Sequence, residues 1–112
     1  MPTYNKLVRD RIPAIIAESG NTCSTRILEE AEYRAQLRTK LYEELDEYMR
    51  AGDDSSAVEE LADILELMHT LAAVHGSDPE QLEAIRKDKE ERRGGFRERV
   101  FLMEVSESQP GQ

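Results

Sequence analysis

A mainly α fold is what this sequence predicts: a helical hairpin that forms a four-helix bundle on oligomerisation, with a short two-stranded β element beside it. Three observations point there. Charged residues make up 35% of the 112 positions and aromatics 5%, the balance of helices with thin apolar stripes. Two long stretches repeat apolar residues at helical spacing on either side of AGDDSS, a run of turn and capping residues. Two short segments, STRIL (24–28) and VFLMEV (100–105), have the make-up of brief strands.

In chain order, residues 1–8 (MPTYNKLV) read as extended. RDRIPAIIAESG reads as a short helix, with Pro13 tolerated in its first turn and Gly20 ending it. STRIL follows as the first strand. From Glu29 to Arg50 runs a long helix with Leu37, Leu41, Leu45, Tyr48 and Met49 along one side. After the AGDDSS break, a second long helix is expected over Ser56–His75, with Ser56 and Glu59 spaced as a capping box. GSDPEQ stops it, and Pro79 is well placed to begin the next helix. That helix is mostly polar, with Leu82, Ala84 and Ile85 as nearly all its apolar content, and it ends at Gly94-Gly95. VFLMEV is then expected to pair with STRIL. Residues 1–105 form one expected domain of a size that suits a modest core, and SESQPGQ (106–112) a disordered tail.

Bulk properties exclude several function classes. The formal net charge is −9, which disfavours nonspecific binding to a nucleic-acid polymer or an anionic membrane. No apolar run approaches bilayer length, and MPTYNKLVRDR contains no signal-peptide core. Cys23 is the single cysteine, so an intrachain disulfide and a cysteine-built metal site are both ruled out. A cytoplasmic protein is the expectation. The charge is unevenly spread, however. Residues 86–99 hold seven Lys or Arg against four acids, and residues 1–11 hold three basics against Asp10. Basic ends around an acidic middle suit a ligand that carries both phosphate and a bound cation.

The acidic middle has its own order. On a helical wheel, Leu61, Ile64, Leu65, Met68, Leu71 and Ala72 form one apolar arc. Glu60 falls inside it and Asp63 at its edge, whereas Glu59 and Glu66 point to the polar side. On the preceding helix Glu44 borders the apolar stripe and Glu47 lies a little further round. Each pair is an i, i+3 couple on one face. In an antiparallel hairpin, residues equally far from the turn are level. Glu44 with Asp63, and Glu47 with Glu60, are both centred between positions 53 and 54. Packing along these edges brings four carboxylates together at two adjacent levels.

Four ionised acids at a core edge repel one another and lose hydration, so either some are protonated or a cation sits among them. All-oxygen ligation suits a hard cation, Mg²⁺ or Mn²⁺. Carboxylates that leave coordination positions open for water and phosphate oxygens describe a phosphoryl-transfer site. Surface acids at such spacing are more often simply solvated; it is the mirrored placement about the turn that favours the site. Glu66-x-x-His69 offers a rival di-iron-like motif, but it occurs once and on the wrong side of the helix.

EELDE followed by EELAD resembles the E-E-x-x-E … E-x-x-D signature of the all-α nucleoside triphosphate pyrophosphohydrolases. This is the MazG-like superfamily that includes phosphoribosyl-ATP pyrophosphohydrolases and dimeric dUTPases. YNKLVRDRIPAII and RRGGFRERVFL together are similar to a small branch of it described as house-cleaning pyrophosphatases. The resemblance implies Mg²⁺-dependent hydrolysis between the α- and β-phosphates, giving a nucleoside monophosphate and pyrophosphate. By position, the metal ligands implied are Glu44, Glu47, Glu60 and Asp63, with Glu43 orienting or deprotonating the attacking water. Lys6, Arg9, Lys89 and Arg93 become candidates to neutralise phosphate oxygens, ahead of Lys87 and Arg92. A homodimer or higher homo-oligomer is expected, since the apolar arc exceeds what one short helix covers. The alternatives are a noncatalytic helical module that binds nucleotide or protein, and a purely structural helical dimer.

Overall fold

The computed structural model describes residues 2–107; the expected tail (106–112) lies outside the described residues from 108 onward. Among the described residues the regular structure is entirely helical: α1 (Ile12–Glu18), α2 (Glu30–Arg50), α3 (Asp54–Val74) and α4 (Pro79–Arg93). The chain divides into two compact units, one running to Pro79 and the other beginning at Glu80. The first contains α1, α2 and α3. The second contains α4 from Glu80 on, together with the segment that follows it. No described helix is long and apolar enough to cross a membrane.

Local chemistry accounts for the helix ends. Pro13 sits in the first turn of α1, where a missing N–H costs nothing. Gly20, at φ +89°, takes the left-handed position just beyond α1, and the next amide, Asn21 N–H, donates to Ile16 O. This closes the helix in a Schellman motif, which a side chain at Gly20 would strain. α3 begins two residues before the expected Ser56. Asp53, with an extended backbone, is the cap, and its carboxylate accepts from the Ser56 amide at 2.7 Å. Ser56 is thus the third residue of the helix and receives the cap rather than making it.

α2 and α3 pack against each other across the three-residue turn Ala51–Asp53. Arg34, near the start of α2, donates to the carbonyl of Val74 at the end of α3 at 3.2 Å, so the pair is antiparallel along its whole length. Leu37 is the buried hydrophobic residue of this hairpin, at 2% exposure. Leu61, Leu65 and Met68 on α3 stay close to half exposed. Two helices cover one stripe of each other, and the remainder of a broad arc needs a further layer.

Because so little else is buried, Leu37→Ala should destabilise the fold by about 2–5 kcal/mol, the usual cost of a core cavity. A chemical-denaturation midpoint that hardly moves would show that the hairpin does not depend on this contact.

The expected two-stranded β element is not formed. Residues 24–28 and 100–105 carry no strand. Strand propensity reflects packing against cross-strand and same-face neighbours, and these segments have little of either. Ile27 is 95% exposed, and the Arg26 guanidinium is engaged by both oxygens of Glu32, at 2.9 and 2.6 Å. That fork ties STRIL to the first turn of α2 instead of to a ladder.

Candidate metal centre

The carboxylates are positioned by the hairpin register. Glu44 and Glu47 sit one turn apart on α2, and Glu60 projects from α3. One oxygen from each of the three lies within 4.8 Å of the others. Glu44 is 6% exposed, Glu60 is half-buried and Glu47 faces solvent. Two oxygens in this group, Glu44 Oε2 and Glu60 Oε2, are enclosed and have no hydrogen-bond partner. A buried carboxylate oxygen left in that state is costly unless a proton or a cation reaches it.

The electrostatics agree with the geometry. Burial pushes the Glu44 carboxyl above its ordinary range, followed by the charge of Glu47; Lys40 opposes the rise and Asp63 adds to it. Glu60 is pushed up to about 7, first by desolvation and then by the close carboxyls of Glu47 and Glu44, which favour a shared proton, and by their charges. Near neutral pH a proton therefore competes for a place among these oxygens. Without a cation, protonation is how the cluster relieves its repulsion.

Asp63 stands apart from the three. It lies near enough to act on Glu44, but its Oδ1 accepts from Arg9 Nη2 at 2.5 Å. Arg9 is thus brought to the acid cluster from the N-terminal segment. Glu43 points to Lys40, whose Nζ is 3.4 Å from Glu43 Oε2 and 3.6 Å from Glu44 Oε1. Glu43 does not join the three-oxygen group. Lys6 stacks over the Tyr4 ring, 5.5 Å from its centroid. Lys89 and Arg93 are exposed on α4, in the second unit. Glu66 and His69 enter no three-residue ligand group among the described residues.

Lys40 was not singled out from the sequence, although a signal was present. It precedes Glu43 by three positions and Glu44 by four, which on a helix makes it the neighbour of both. The Arg9–Asp63 pair had no such signal, since the two residues are 54 positions apart.

As chemistry, the set is all oxygen, with enclosed unpartnered atoms converging from two helices. That donor set fits a hard divalent cation, with Glu44, Glu47 and Glu60 as the ready ligands.

Comparison with known proteins adds little. No family model matches the chain, and no solved structure matches it. An uncharacterized protein of Mycolicibacterium smegmatis is 50% identical over 52 residues, which cover 46% of this chain and 52% of that protein. The chain therefore spans about half the length of the curated relative it matches.

Proposed function

We propose that this chain is a Mg²⁺-dependent nucleoside triphosphate pyrophosphohydrolase, cleaving between the α- and β-phosphates to yield a nucleoside monophosphate and pyrophosphate. The observation that carries the reading is Glu44: a carboxylate 6% exposed, one oxygen unpartnered, facing ligand oxygens of Glu47 and Glu60 within 4.8 Å. Lys40 reaches one oxygen of this carboxylate, the enclosed second oxygen still calls for a proton or a cation, and the flanking basic residues suit a polyphosphate better than a bare structural ion. When bound, the divalent cation would polarise phosphate oxygens and balance the charge that develops on them. Mn²⁺ satisfies the same oxygen set.

The chain's own residues take the remaining roles. Glu44, Glu47 and Glu60 hold the ion, with Asp63 as a fourth ligand. Glu43, held by Lys40 just outside the ligand group, orients or deprotonates the attacking water. Arg9 stands beside the ligand group and is well placed to meet phosphate oxygens; Lys6, Lys89 and Arg93 are assigned the same task on the strength of the MazG-like resemblance. A homodimer that packs two hairpins into a four-helix bundle would cover Leu61, Leu65 and Met68, which are 47%, 48% and 42% exposed in one chain. House-cleaning of noncanonical nucleotides in the cytoplasm is the role this reading gives the protein.

The test is a panel of triphosphates and phosphoribosyl nucleotides, assayed for pyrophosphate with Mg²⁺ and with a chelator. At least one nucleotide should release pyrophosphate only when Mg²⁺ is present. A silent panel alongside measurable nucleotide binding would favour a noncatalytic module instead.

A further inference from the structure

Resting on the reading of the acids as a cation site, we propose that the N-terminal segment is a built-in counter-cation: Arg9 holds Asp63 out of the ligand group, and a divalent ion that recruits Asp63 must release the segment. Three observations converge on this. Glu44, Glu47 and Glu60 already present mutually close oxygens, while Asp63 does not join them. Asp63 lies one helical turn beyond Glu60 on the same face of α3, and its charge is felt at Glu44. What occupies it instead is Arg9 Nη2, at 2.5 Å.

The segment is built for reversible docking. The Arg9 and Asp63 side chains are 56% and 38% exposed, and a pair so open to water is weak and screened by salt. Up to Arg9 the described segment has no regular structure. The chain then turns at once, with Ile12 N–H donating to Arg9 O, and enters α1. A guanidinium and a divalent cation cannot both sit close against one carboxylate without like-charge repulsion, so each weakens the other's hold. Once displaced, Arg9 offers five N–H donors in a fork that matches phosphate oxygens. Cation loading would thereby free the arm that the nucleotide next requires, which orders the two binding events.

The experiment uses Mn²⁺ alone with the full chain, so turnover is not the readout. Manganese affinity is measured by calorimetry for the wild type, Arg9→Gln and Arg11→Gln, the last making the same change in net charge on the same segment. Arg9→Gln should bind Mn²⁺ about two- to five-fold more tightly, the range that releasing an exposed ion pair allows, and Arg11→Gln should match the wild type. Tryptic cleavage after Lys6 should quicken in the wild type when Mn²⁺ is added. In Arg9→Gln it should already be fast and insensitive to the metal. Unchanged or weaker Mn²⁺ binding by Arg9→Gln, or wild-type cleavage that stays the same or slows with Mn²⁺, overturns the counter-cation role and leaves the cation site standing. Absence of Mn²⁺ binding in all three overturns both.

Discussion

Glu44→Gln should reduce Mg²⁺-dependent pyrophosphate release at least about 100-fold, since even the outer partners of a metal ligand are worth roughly 10–100-fold. The substitution keeps the shape and removes the charge, at a residue that is 6% exposed and has an oxygen facing the other two ligands. Glu60→Gln should behave alike. Folding is not expected to suffer, because each change relieves a repulsive cluster: the metal-free variants should melt no lower than the wild type near pH 8. Glu59→Gln is the matched control, an exposed acid beside Glu60 that belongs to no ligand group among the described residues. Wild-type turnover in Glu44→Gln, with the fold intact, would end the assignment of this cluster as the reaction centre.

The metal-free protein should lose stability as pH rises from about 5 to 8, the reverse of the trend for carboxylates held in ion pairs. Its cause is Glu60, whose carboxyl is pushed from an ordinary 4.5 up to about 7. The folded state then binds this proton more tightly than the unfolded chain does, so the contribution is complete below about 4.5 and fades as pH climbs through 7. Mg²⁺ takes the proton's place, so its affinity should fall by up to about tenfold for each pH unit below 7, one proton being displaced per ion. Thermal melts with Mg²⁺ or with chelator check both halves. Magnesium should raise the melting temperature strongly at pH 8 and hardly at pH 5.5. Glu60→Gln isolates the contribution of this one carboxyl. If the slope between pH 5 and 8 survives in that variant, Glu60 is not its source.

Much of the fold was legible because it rests on short-range rules. Apolar spacing marked α2 and α3, Pro79 marked the start of α4, and Gly20 marked the end of α1. The start of α3 was misjudged by two residues because AGDDSS offers several capping side chains, and local preference alone does not rank Asp53 above Ser56. The β element failed for a different reason. STRIL and VFLMEV have strand composition, but a ladder is a pairing between distant segments, and the Arg26–Glu32 fork draws the first of them to α2.

By itself the sequence determined that Glu44 and Glu47 share one face of a helix, that Glu60 and Asp63 share one face of the next, and that a short turn separates the two helices. Those facts follow from 3.6 residues per turn and from turn chemistry, which act over a few positions. Only the tertiary structure decided which of the four acids meet, that Lys40 leans on Glu43 and Glu44, and that Arg9 reaches across 54 positions to Asp63. Charge pairing between distant segments depends on where packing places the backbone, and helical periodicity carries no information about that.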